Sequence, residues 1–429
     1  MIYKFFIFLL VCINASSFSQ EPDKQVLASA KKVEDKVIAW RRDFHQNPEL
    51  SNREFKTAKK IADHLRSLGM EVTENIAKTG VVGILRGNQE GKTVALRADI
   101  DALPVTERTE VPFKSKVRSV FLDTEVGVSH ACGHDTHTAI LMGVAEVLSK
   151  HTDKIKGNVK FIFQPAEEGP PPGEEGGAKL MIEEGVLKNP NVDAVFGLHI
   201  NSGTPVGTIR YRPEGTMAAV ERFVINVKGK QTHGSAPWSG TDPILISAKI
   251  IDGLQTIISR DSRLIDGAAV ITVGKITSGV RFNIIPESAE LIGTVRTLDK
   301  DMRALIIKRM KEMVPAIAKA YGGTATIDIQ ENTTITYNDP KLVTAMLPTL
   351  QKIAGKDKVE LAKASTGGED FSYFQEVVPG FYFFLGGMSP TTNPQNAPAH
   401  HTPGFYIDES GMLLGVQTLS QLALDYLGQ

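Results

Sequence analysis

The chain has 429 residues, 41% of them hydrophobic, enough to fill a large core in two domains or in one domain with an insertion. Its 48 lysines and arginines balance 49 aspartates and glutamates, so there is no electrostatic case for nucleic acid or an anionic membrane as partner. Two cysteines, Cys12 and Cys132, cannot build a disulfide framework.

The N-terminus predicts a targeting segment. Lys4 supplies a positive start, and Phe5 to Ile13 is an apolar run too short to span a bilayer. Ala15 to Gln20 is rich in small residues where cleavage is expected. A signal peptide over 1–20, with an uncleaved anchor as the alternative, therefore implies a secreted or periplasmic protein. Cys132 would then be a lone thiol in an oxidising compartment, a position best kept by a thiolate bound to metal.

Past that segment, helices are expected over Lys24 to Arg42 and Phe55 to Leu68, the second stopped by Gly69. Val81 to Leu85 and Thr93 to Ala98 are short apolar runs typical of buried strands. Thr138 to Leu148 has a helical period, and Asn158 to Phe163 and Ala194 to Ile200 are further strands. Strands separated by helices predict an α/β fold, a mostly parallel sheet with helices on both faces. From Glu221 the rhythm changes. Glu221 to Lys228 alternates apolar and polar residues, Pro243 to Ser259 is helical, Ala268 to Ile276 and Ser288 to Thr297 are strands, Lys300 to Tyr321 is a long amphipathic helix, and Thr324 to Gln330 closes with a strand. That order is the ferredoxin-like split arrangement. It predicts an inserted α+β lid over 213–332 within a discontinuous catalytic domain of 21–212 and 333–429, with Gly203 to Arg212 and Thr333 to Asp339 as hinges.

Chemistry concentrates where predicted strands end, which is where open α/β sheets bind ligands. Arg97-Ala98-Asp99-Ile100-Asp101 follows one strand, Gln164-Pro165-Ala166-Glu167-Glu168-Gly169 another, and His199 a third. The octet His130-Ala131-Cys132-Gly133-His134-Asp135-Thr136-His137 brings together thiol, imidazole and carboxylate, the ligands of a borderline divalent metal. Taken alone, the octet also suits a buried cysteine beside surface histidines, and Glu167-Glu168 suits a solvated acidic loop.

These segments, together with Arg42-Asp43-Phe44-His45, Pro48-Glu49-Leu50, Phe282-Asn283-Ile284-Ile285-Pro286, Gly368-Glu369-Asp370-Phe371 and His401-Thr402-Pro403, appear in an order spanning almost the whole mature chain. In that order they resemble the di-metal amidohydrolases of the aminoacylase and carboxypeptidase type, and more narrowly the branch of hippurate hydrolases and indole-acetyl-amino-acid hydrolases. The resemblance implies a zinc-exopeptidase-like catalytic domain and two divalent ions (zinc, manganese or cobalt) held by Cys132, His134, Glu168, His199 and His401. Cys132 takes the place of the bridging Asp of the wider family, and Asp99 stands where that family has a ligand His. Asp101 is then expected to fix a ligand imidazole, with His130 and His137 behind the ligands, and His401 rather than the adjacent His400 facing the metals. Glu167 is implied as the general base. His233 is implied as the group that stabilises the oxyanion, donated in related dimers by the partner subunit, and Asn283 and Arg296 as holders of a substrate carboxylate. Gly367 and Gly368 are implied to let backbone approach substrate. The implied reaction is hydrolysis of a small N-acyl amino acid, with a metallo-dipeptidase or carboxypeptidase on the same scaffold as the alternative, and the implied assembly is a homodimer through the lid.

Overall fold

The computed structural model describes residues 21–429, and the signal segment expected over 1–20 lies outside the described residues. Its largest sheet has eight strands, in spatial order Glu71–Ile76, Gly80–Arg86, Lys156–Gln164, Gln89–Asp99, Ala194–Pro205, Gly380–Met388, Ile209–Tyr211 and Val359–Leu361. The four central strands, Lys156–Gln164 to Gly380–Met388, run parallel to one another. They are nearly continuous in apolar residues because helices cover both faces. One core cluster joins the helices Lys24–Gln46, His134–Ser149, Pro340–Ala354 and Met412–Leu427 through Val37, Val144, Met346 and Leu419. A second, on Gly177–Glu183 and Phe371–Val377, packs Ala178, Met181 and Phe371 against Val195 and Tyr382.

Two details differ from the sequence expectation. Gly80–Arg86 runs antiparallel to both neighbours, because the chain reverses tightly at Ala77 and Lys78, with φ 48° and 79°. The helix expected from Thr138 starts at His134. Its first turn is polar and so carries no apolar period, yet it is wholly buried. Gly133 makes this start possible with φ 99°, and a Cβ there would meet Ile200 Cγ2 at 2.4 Å.

The second sheet is four-stranded and antiparallel, in the order Ala269–Ser278, Ser288–Thr297, Ala219–Lys228, Thr324–Thr333. With helices Pro243–Thr256 and Lys300–Ala320 this is the ferredoxin-like order. Both helices start on an aspartate cap: Asp242 accepts from the Ile244 and Leu245 amides, and Asp299 from Met302. Phe223, Ile250, Leu291 and Ile306 belong to a core separate from that of the large sheet. The expected hinges are not free segments. Ile209–Tyr211 is bound into the large sheet, and Thr336–Asn338 pairs with Glu214–Met217.

Candidate metal centre

The strand and helix ends converge at the carboxyl edge of the large sheet. Cys132 Sγ lies 3.4 Å from His199 Nε2 and 3.3 Å from His401 Nε2. Glu168 Oε1 lies 3.1 Å from His401 Nε2 and 3.9 Å from His134 Nε2. Glu167 Oε2 is 3.7 Å from His134 Nε2. The five residues expected as ligands thus surround one space, with Glu167 on its edge.

Each ring is oriented by the nitrogen it turns away from that space. His134 Nδ1 faces the Asp101 carbonyl at 3.0 Å and Asp101 Oδ1 at 3.1 Å. His199 Nδ1 donates to the Ile200 carbonyl at 2.6 Å, leaving Nε2 free. Asp101 Oδ2 accepts from the Ser51 hydroxyl and from the Glu168 amide, so this one carboxylate orients a ring and a backbone turn.

The same test sorts the remaining histidines. His137 has both nitrogens engaged: Nδ1 with Asp99 Oδ1 at 2.6 Å, and Nε2 accepting from the Ile200 amide at 2.8 Å. His400 likewise faces the Cys132 carbonyl through Nδ1 and accepts from the Ser202 amide through Nε2. Neither has a lone pair left for an ion, although both rings lie near clustered donors. His130 is buried with neither nitrogen partnered among the described residues, and burial pushes its pKa down to about 4.

The donor set fits divalent cations. His134 Nε2 is buried with no hydrogen-bond partner among the described residues, an atom that would otherwise pay a desolvation cost. Burial, then Glu168, Glu167 and Asp99, hold the Cys132 thiol well above its ordinary pKa, so an added cation is what would keep it as thiolate. Burial, Glu369 and Glu168 push Glu167 up as well. His134 is driven the other way: burial opposes its charge, but Asp99 and Asp101 outweigh it and raise it to about 10. Around the donors, carboxyl groups outnumber fixed cations.

The fixed cation is Arg97, which sequence reasoning gave no role. Its buried guanidinium reaches Asp99 Oδ2 at 2.8 Å, Gln164 Oε1 at 2.8 Å, Asp370 Oδ1 at 3.0 Å and Glu369 Oε1 at 3.1 Å. Glu369 Oε2 also accepts from the Tyr382 hydroxyl at 2.6 Å. The available signal was a charge inside the apolar run Val94 to Ala98, together with adjacent acids in Gly368-Glu369-Asp370.

The centre opens into a cavity of about 1230 Å³ between the two sheets. Cys132, Glu168, His199, His401, Gly367, Gly368 and Phe384 on the large-sheet side line it, as do Val220, Arg296 and Thr333 on the strands of the four-stranded sheet. Arg296 is therefore brought to the site within one chain. His233 and Asn283 are not among the lining residues. They sit side by side on the short ribbon of Thr232–His233 with Ile284–Ile285, where the Gly234 amide donates to the Asn283 carbonyl at 2.8 Å.

A mostly parallel sheet delivering thiol, imidazole and carboxylate to one edge, across a cavity from a second sheet, defines a metallohydrolase scaffold. The chain matches the model of peptidase family M20/M25/M40 over residues 95–425 and belongs to that family of hydrolytic enzymes. It is 43% identical over 400 residues to thermostable carboxypeptidase 2 of Saccharolobus solfataricus, covering 92% of this chain and 96% of that protein. It is 38% identical over 395 residues to an N-acetylcysteine deacetylase of Bacillus subtilis, covering 92% and 97%. It is 34% identical over 423 residues to an IAA-amino acid hydrolase of Arabidopsis thaliana, covering 97% and 92%. A solved Bacillus subtilis structure described as a dinuclear metal-binding peptidase of the M20 family superposes with TM-score 0.77 at 35% identity, covering 93% of this chain and 99% of that one.

Proposed function

We propose that this enzyme hydrolyses the amide bond of N-acyl amino acids, releasing a carboxylic acid and an amino acid. The observation that carries the reading is the pairing of Glu167 with Glu168: one carboxylate stands among the ligand atoms, and its neighbour faces the cavity. Cys132, His134, Glu168, His199 and His401 would hold two divalent ions, and Cys132 Sγ lies within 3.4 Å of both His199 Nε2 and His401 Nε2. Zinc, manganese and cobalt all suit this donor set. When bound, such ions polarise the amide carbonyl and acidify water toward neutrality. Glu167 then takes a proton from the attacking water and passes it to the leaving nitrogen. Arg296, with no side-chain partner among the described residues, is positioned to hold the substrate carboxylate.

His233 supplies a donor for the oxyanion. Its Nδ1 accepts from the Ser235 amide at 3.0 Å and lies 2.7 Å from the Ser235 hydroxyl, a pattern that leaves the proton on Nε2. Since its ring is exposed away from the cavity of its own chain, a second copy would donate it, with Asn283 beside it. Exposed Trp238, Val280 and Phe282 near this ribbon support a homodimer through the lid. Export to the periplasm or the medium is proposed on the N-terminal segment alone.

A second reading is a metallo-carboxypeptidase, favoured by the name of the 43% identical relative. A panel of N-acyl amino acids against dipeptides and longer peptides separates the two, since a free α-amine must be accommodated only in the second. The base assignment is tested by Glu167→Gln. It should keep its metal and lose about 10²- to 10⁴-fold in kcat, whereas near-normal turnover would remove Glu167 from the mechanism.

A further inference from the structure

The loop carrying Glu167 is held from behind by a carboxyl group that the reaction does not use. After strand Lys156–Gln164 the chain turns at Ala166, whose φ of 52° lies in the left-handed region that favours glycine. Glu54 meets this turn. Its side chain is buried, its Oε1 accepts from the Ala166 amide at 3.0 Å, and its Oε2 accepts from the buried Thr79 hydroxyl at 2.6 Å.

Glu54 occupies the N-cap position of helix Phe55–Ser67 but makes no capping bond. Glu49 does that work instead, its Oε2 accepting from the Lys56 and Thr57 amides at 2.9 and 2.8 Å. The helix start therefore does not need Glu54, whose bonding capacity is directed to the Ala166 turn. A buried carboxyl is costly to keep in a protein interior, and here it secures one backbone amide next to the proposed base. Asp101 holds the Glu168 amide two positions on. The loop is thus gripped at two amides by two carboxyls, one on each side of Glu167.

We propose that Glu54 is a positioning residue for the reaction, fixing the left-handed turn at Ala166 that aims Glu167 into the cavity. This rests on Glu167 being the base. Because Asp101 still holds Glu168, loss of Glu54 loosens the base while leaving the metal ligands in place.

The test compares full-length, metal-loaded Glu54→Gln, Glu54→Leu, Glu54→Leu/Ala166→Gly and Glu167→Gln for kcat, KM and metal content, on whichever N-acyl amino acid is turned over best. Leucine fills the buried volume without an acceptor, and Glu54→Ala replaces it should that variant not fold. Glu54→Leu should lose about 10- to 100-fold in kcat with KM and metal content unchanged. Glu54→Gln keeps an acceptor for the Ala166 amide and a donor for Thr79, and should hold kcat near that of the unaltered enzyme. Glycine at 166 takes the turn without strain, so the double variant should regain part of the lost kcat. The inference is overturned if Glu54→Gln loses as much as Glu54→Leu, if metal is lost in step with activity, or if Glu54→Leu stays fully active while Glu167→Gln is dead. Retained turnover in Glu167→Gln would instead remove the base reading, and this inference with it.

Discussion

At the residue scale, the same side-chain types serve different ends according to what their second heteroatom touches. His199 and His400 both lie beside Cys132, yet a carbonyl takes only one nitrogen of His199 while two backbone groups take both nitrogens of His400. Cys132→Ala should therefore lower metal content, and His400→Ala should lower it far less; equal losses, measured by elemental analysis after gel filtration, would undo the distinction. Glu54 makes a separate prediction for stability. Burial, then the nearby Asp101 charge, raise its pKa from the ordinary 4.5 to about 8. A group raised on folding stabilises most below its unfolded pKa, and that stabilisation is lost as pH climbs through the folded one. Between pH 4.5 and 8 the native protein should therefore lose stability relative to Glu54→Gln, and parallel denaturant curves at both pH values would refute this. The ligand types were legible in the sequence because Cys132, His134 and Glu167-Glu168 sit in compact clusters. Glu54, Arg97 and Thr79 were not, because a lone polar residue is marked as important only by its three-dimensional neighbours.

At the element scale, apolar period carried most of the fold: the runs Val81 to Leu85, Thr93 to Ala98 and Asn158 to Phe163 all became buried strands. Period failed where function replaced it, in the polar first turn of His134–Ser149. It was also silent on strand direction, which at Gly80–Arg86 was decided by a two-residue reversal. The central strand Gly380–Met388 was not anticipated, since an apolar run near glycines suits a loop or helix edge as well as a strand. Gly133 is the element-scale weak point. Gly133→Ala should cost about 1–2 kcal/mol from the left-handed backbone alone, and more from contact with Ile200. Thermal denaturation should show a lower midpoint together with reduced metal content, and an unchanged midpoint would mean the turn has another allowed conformation. Lys160 is a second case. Its buried ammonium donates to the carbonyls of Val186, Lys188 and Pro190 at 2.9, 2.8 and 3.0 Å. Lys160→Met should destabilise by about 3 kcal/mol by stranding three carbonyls without altering KM, and a change below the error of the denaturation curve would show that water replaces the ammonium.

At the scale of the whole molecule, the large sheet supplies the proposed ligands and base and the four-stranded sheet supplies Arg296, so the cavity exists only where the two layers face each other. His233 and Asn283 lie off that cavity, so the role proposed for His233 requires a second copy of the chain. If each site is shared, mixing His233→Ala with Glu167→Gln should restore about a quarter of the activity, because one of the two sites in each mixed dimer has both groups. Activity that stays at the sum of the separate variants would place His233 outside the reaction or within its own chain. The metal dependence of amide hydrolysis is tested by metal content together with hydrolysis of hippurate and other N-acyl amino acids, on chelated and on metal-restored protein. Two metals per chain are expected, with loss of turnover on chelation and its return with zinc, manganese or cobalt. Full turnover by metal-free protein, or two bound metals with no hydrolysis of any N-acyl amino acid or peptide, would contradict this.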